Sequence, residues 1–122
     1  MKTIILVPVY NDWKSVSKLI EEINSTVSNL NCNFTIIIIN DASSEHQSIY
    51  APNLENIQSV RIINMKENKG HARCIASGLK HVFENEEFDY VIPMDGDGED
   101  RPEEIKNFVR YINYTSDKPI VG

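Results

Sequence analysis

The chain has 122 residues, with 12 Lys+Arg against 18 Asp+Glu and a formal charge of −6. That length makes one domain, with room for a single sheet and its covering helices, and hydrophobic residues at 41% with charged residues at 25% exclude a disordered or fibrous chain. The acidic balance, without any basic run, argues against a general nucleic-acid binder, so an anionic ligand needs local help.

In chain order, short β-branched runs predict strands at Thr3–Val9, Phe34–Ile39, Val60–Met65 and Tyr90–Met94, with a fifth at Pro119–Val121. Between the first two, Val16, Leu19, Ile20, Ile23, Val27 and Leu30 recur at helical spacing, and Asp12 stands where a cap belongs. The segment Ala42–Asn56 reads as a loop with one short helical turn. After the third run comes a second helical pattern, Ala72, Ile75, Ala76, Leu79 and Phe83; after the fourth comes a third, Ile105, Phe108, Val109 and Ile112. Pro102 falls in the first turn of this last helix and Asp100 caps it.

Apolar strands alternating with amphipathic helices predict an α/β fold, an open and mostly parallel sheet with helices on both faces. Purely apolar runs such as Ile36–Ile39 are far too short for a membrane span, and no signal-peptide pattern is present, so the expected location is cytoplasmic. Cys32 and Cys74, far apart and without a second thiol at ligand spacing, read as reduced packing residues.

In open sheets of this kind ligands bind outside the carboxyl ends of the strands. The residues at those ends are Pro8-Val9-Tyr10-Asn11-Asp12, Asn40-Asp41-Ala42-Ser43-Ser44, Asn68-Lys69-Gly70-His71-Ala72-Arg73 and Asp95-Gly96-Asp97-Gly98-Glu99-Asp100. The polar chemistry thus collects on one edge. Glycines between Asp95, Asp97 and Glu99 let the backbone aim several carboxylates at one point, a set of hard oxygens suited to Mg²⁺ or Mn²⁺. Such a cation would let an acidic site accept a diphosphate. A calcium loop of the EF-hand kind does not fit, because Asp100 and Lys106 stand where Gly and Glu are required and a strand precedes it.

Gly70 opens a helix whose N-terminal amides favour an anion, and Arg73 projects from its first turn. Tyr10 can present its ring to a flat ligand. Asp41 can accept hydrogen bonds from a nucleobase or ribose, or simply form a turn. His71 reads as a surface histidine.

With these clusters in this order, nearly the whole chain resembles the amino-terminal half of family 2 glycosyltransferases. Val7-Pro8-Val9-Tyr10-Asn11-Asp12 is similar to that family's opening motif, and Asn40-Asp41-Ala42-Ser43-Ser44 to its Asp-Asp-Gly-Ser-Ser turn. Asn68-x-Gly70-x-Ala72-Arg73 is similar to its Asn-x-Gly-x-Ala-Arg segment, and the acidic cluster to its Asp-x-Asp motif. Asn40 and Ala42 depart from the pattern, where Asp and Gly are usual. The resemblance implies a GT-A, Rossmann-like fold and a nucleotide-diphospho-sugar donor bound by Pro8, Tyr10, Asn11, Asp41, Gly70, Arg73, Asp95 and Asp97. Tyr10 and Asp41 would hold the base, Arg73 would assist at the nucleotide, and Asp95 would face the ribose or diphosphate.

Asp97, with Glu99, would ligate the Mg²⁺ or Mn²⁺. The stretch from Asp95 to Glu104 is also similar to polyprenyl-phosphate sugar transferases of the dolichol-phosphate mannose synthase type. The implied reaction is attack of a saccharide or lipid-phosphate acceptor on the anomeric carbon, with inversion. The full-length protein would then associate peripherally with the inner face of a membrane. The catalytic base is expected beyond residue 122, so residues 1–122 read as the donor-binding part, truncated after the fifth strand. Two other classes are a non-catalytic nucleotide-binding fragment and a phosphoacceptor receiver domain. The receiver requires an acidic pair after the first strand, where Pro8-Val9-Tyr10-Asn11 stands.

Overall fold

The computed structural model describes residues 2–28, 32–45, 49, 54–95 and 107. Its elements are β1 (Lys2–Val9), α1 (Trp13–Thr26), β2 (Asn33–Asn40), β3 (Ser59–Asn64), α2 (His71–Asn85) and β4 (Tyr90–Pro93). The four expected strands are therefore present, each within a residue or two of its expected ends. The helix expected over 105–112 lies outside the described residues apart from Asn107, and so does the strand at 119–121.

All strand pairs are parallel, in the order β3-β2-β1-β4. β1 and β2 are buried on both faces along nearly their whole length, which their uninterrupted Ile, Leu, Val and Phe content requires. The pleat divides this content into two cores. Ile5, Val7, Val9, Ile36 and Ile38 face Val16, Leu19, Ile20 and Ile23 of α1. Ile4, Leu6, Ile37 and Ile39 face Cys74 and Val82 of α2 on the other side. Each fully buried aliphatic side chain contributes roughly 1.5–3 kcal/mol, so a one-residue register slip would exchange the two cores and misalign both.

Asp12 caps α1, its Oδ1 accepting from Ser15 N at 3.3 Å. In α2 the buried face differs from the expected one. Cys74, Gly78 and Val82 point inward, while Phe83 is 68% exposed and meets Phe88 edge-on at 5.2 Å. The reason is Gly78: a Cβ there would sit 2.8 Å from Ile39 Cγ1 and 3.0 Å from Leu6 Cδ1. Its lack of a side chain lets the helix lie close on the sheet, and a glycine carries no hydrophobic signal in the sequence.

The strand order fixes where a ligand can enter. The β1–α1–β2 connection steps one way across the sheet, and the β3–α2–β4 connection steps back past β2 and β1, so the helices cover opposite faces. A crevice opens between the carboxyl ends of β1 and β4, where the order reverses. Receiver domains place their first strand between the second and third, whereas β1 here lies between β2 and β4. That reading is therefore excluded.

Two residues leave the strands with left-handed backbone, Asn11 at φ 63° and Ala42 at φ 56°. Asparagine tolerates this region, but for alanine it costs roughly 1–2 kcal/mol. Ala42→Gly is expected to raise unfolding free energy by about 0.5–1 kcal/mol after the entropy of the added glycine is counted. Gly78→Ala should lower it by about 1–2 kcal/mol, overpacking outweighing the better helix propensity. Urea denaturation of each variant checks both signs.

Candidate functional site

Among the described residues the pairing of β1 with β4 runs as far as Leu6 and Pro93. In a parallel ladder alternate residues bond to the same neighbour, and Leu6 O accepts from Met94 N at 2.8 Å. The next position directed toward β4 is Pro8, which has no N–H to give. Since Leu6 is in register with Pro93, Asp95 stands level with Pro8. The crevice thus begins beside a residue that has no N–H to donate across it.

On the other side of β1 the strand ends are tied together. Asn40 Nδ2 donates to Asn64 Oδ1 at 2.9 Å, and Asn40 Oδ1 accepts from Ser43 N at 3.0 Å. This explains how an amide serves where the family pattern has a carboxylate: it donates sideways and accepts from the turn. Asn11 pins the β1–α1 turn to the loop after β2, its N–H donating to Ser43 Oγ at 2.9 Å and its Oδ1 accepting from Glu45 N at 2.9 Å.

Asp41 is only 3% exposed, and each of its carboxylate oxygens accepts from a backbone N–H of the loop that leads into α2. Oδ1 accepts from Lys69 N at 2.8 Å and Oδ2 from Gly70 N at 3.0 Å, while Asn68 Nδ2 donates to the Asp41 carbonyl at 3.1 Å. A buried carboxylate is tolerated when charge-assisted bonds of this kind replace water. Each oxygen retains a second acceptor position. Gly70, at φ 87°, adopts the conformation that delivers its amide to Asp41.

Two adjoining clefts lie above this edge. The first, about 330 Å³, is lined by Pro8, Val9, Tyr10, Asp41, Asn68, Gly70, His71 and Cys74. The second, about 240 Å³, shares Pro8, Val9, Tyr10 and His71 and adds Asp12, Val16 and Asp95. Tyr10, 52% exposed, stands between them. Burial, and secondarily the Asp41 carboxylate, push the Cys74 thiol up to about 11. It is therefore a neutral, weakly polar wall at physiological pH rather than a nucleophile.

Of the residues expected from sequence, Pro8, Tyr10, Asp41, Gly70 and Asp95 come together around the clefts. Asn11 lies beside them, holding loops. Arg73 is exposed on the first turn of α2 and lines neither cleft. Asp97 and Glu99 lie outside the described residues, and among the described residues no three His, Cys, Asp or Glu side chains gather as a metal site. The structure adds Asn68, Cys74 and His71. Asn68 could have been weighed from its place before Gly70. His71 Nε2 lies 2.7 Å from Asp95 Oδ1, a contact made only by the fold.

Comparison with known proteins places this architecture. Three crystal structures of TarS from S. aureus superpose on 95% of the chain. One structure of TarS does so at TM-score 0.67 and 18% identity, residues 1–349 in complex with UDP-GlcNAc at 0.68 and 18%, and residues 1–349 at 0.59 and 19%. The chain spans 20%, 32% and 33% of those chains, respectively. Residues 4–121 match the family model described as glycosyl transferase family 2. By this match over nearly all of its length, the chain belongs to glycosyl transferase family 2.

Proposed function

We propose that the paired clefts bind the nucleotide-diphospho-sugar donor of a glycosyl transfer. The observation that carries this reading is the placement of Asp41 and Tyr10 in one cleft, between the carboxyl ends of β1 and β2 and the start of α2. An aromatic ring and a buried acceptor fit a flat base that carries an imino N–H. Uracil and thymine have one at N3 and guanine has one at N1, whereas cytosine and adenine have none. The UDP-GlcNAc complex of TarS supports a uridine donor on the same fold. In this reading the uracil rests against Tyr10 and donates to Asp41, and the ribose and diphosphate pass His71 and Asp95 into the second cleft.

The acceptor, a saccharide hydroxyl or a polyprenyl phosphate, attacks the anomeric carbon from the face opposite the diphosphate. The new glycosidic bond forms as the bond to the diphosphate breaks, with inversion and release of the nucleotide. A lipid phosphate is already ionised, whereas a hydroxyl needs a general base. Mg²⁺ or Mn²⁺ suits the hard carboxylate oxygens of Asp97 and Glu99 and would offset the charge of the diphosphate. Membrane association belongs to the lipid-phosphate version of the reading. A nucleotide-binding module without turnover would share these clefts, and product formation from a UDP-sugar separates it from an enzyme.

Calorimetry and thermal denaturation with UDP and CDP test the donor reading. At a hundredfold excess over Kd, UDP should stabilise the chain by about 2.7 kcal/mol. CDP should bind at least about tenfold more weakly, because its base has no imino proton for Asp41. Asp41→Asn should weaken UDP binding and also lower stability by roughly 2 kcal/mol, since its amide nitrogen would confront a loop N–H. No stabilisation by UDP, or equal stabilisation by CDP, contradicts the assignment.

A further inference from the structure

We infer that Asn11 and Ser43 are positioning residues for the base, holding the Tyr10 ring in place beside Asp41 without touching the ligand themselves. The inference rests on the donor reading above, in which the base lies against that ring and donates to that carboxylate. Tyr10 lines both clefts and is 52% exposed, so burial fixes only part of the ring. Its backbone is held from both sides instead. Before it, Val9 O accepts from Asp41 N at 2.9 Å. After it, Asp12 N donates back to Tyr10 O at 2.8 Å, closing a three-residue turn centred on Asn11 at φ 63°. Positive φ at the centre of such a turn is rare and strained, and it persists only where the surroundings hold it.

Those surroundings are the loop after β2. Asn11 N donates to Ser43 Oγ at 2.9 Å, and Asn11 Oδ1 accepts from Glu45 N at 2.9 Å. Ser44 Oγ lies 3.1 Å from Asn11 Nδ2 and 3.4 Å from its Oδ1. Ser43 is anchored in turn, its own N–H donating to Asn40 Oδ1 at 3.0 Å, and Asn40 is tied across to Asn64. Neither Asn11 nor Ser43 lines a cleft. The segment 41–45 therefore carries both the acceptor for the base and the brace for the ring, and keeps the two in step. Asn11, expected from the sequence to bind the donor, serves it through Tyr10 instead.

The test is UDP affinity by calorimetry for the unmodified chain, Asn11→Gly, Ser43→Ala, Tyr10→Ala and the double variant Asn11→Gly/Tyr10→Ala. Alongside it, fluorine-19 spectra are recorded without ligand on chains labelled with 3-fluorotyrosine, the Tyr10 signal being assigned by its loss in Tyr10→Phe. Glycine tolerates positive φ, so Asn11→Gly removes the side-chain bonds while leaving the turn accessible. Ser43→Ala attacks the brace from the other side by removing the acceptor of the Asn11 N–H. Tyr10→Ala should weaken UDP about tenfold, the loss of one stacked base. Asn11→Gly and Ser43→Ala should each weaken it about threefold, and by no more than Tyr10→Ala does, because they act through the ring. In the Tyr10→Ala background, Asn11→Gly should change affinity by less than about twofold, since coupled residues are non-additive. The Tyr10 fluorine signal should shift in both brace variants.

Additive losses would mean that Asn11 meets the ligand independently and would overturn the proposal. So would unchanged affinity in both Asn11→Gly and Ser43→Ala, or a Tyr10 signal that neither variant moves. A chain whose Tyr10 signal responds but which binds no UDP overturns the donor reading instead, and reduces the brace to a contact of the fold.

Discussion

The carboxylate of Asp41 is the constraint on which the candidate site depends. It is buried at the end of a strand whose other residues are nearly all apolar, where an unpaired charge would be costly. Backbone N–H groups of Lys69 and Gly70 donate to it, and so the side chain just after β2 sets the path of the loop that leads into α2. The start of α2 in turn determines where His71 stands. The positions of Gly70, His71 and the wall of the first cleft follow from how this single group is satisfied.

The second constraint is topological. The order β3-β2-β1-β4 sends the two crossovers in opposite directions and leaves a crevice beside β1. Pro8 stands at its edge, with no N–H to donate toward β4. Gly78 serves the same architecture from below by allowing α2 to sit close on Leu6 and Ile39. The clefts are thus products of the sheet's wiring, and their polar residues are those that the strands deliver to one edge.

Much of this was legible in the sequence. Period and β-branched content place β1 to β4 and both helices, because burial on two faces forces near-continuous apolar strands. Pro8, Tyr10, Asp41, Gly70 and Asp95 are found by reading strand ends. The inward face of α2 was not legible, since it is built on Cys74 and Gly78, a small side chain and an absent one. The engagement of Asp41 by backbone amides, and the pairing of His71 with Asp95, join residues distant in sequence through contacts that no spacing announces. Asn11 and Ala42 occupy positive φ, which asparagine hints at and alanine conceals.

The proposed occupant of the cleft beside Asp41 is a uridine nucleotide. Nitrogen-15 spectra recorded during a UDP titration test it most directly. The account predicts saturating shifts at the amides of Lys69, Gly70 and His71 and broadening or shifts of the Tyr10 ring signals, with Asn33 and Asp89 at the opposite edge unmoved. Shifts confined to the opposite edge, or none at Lys69 and Gly70 at saturation, would contradict it.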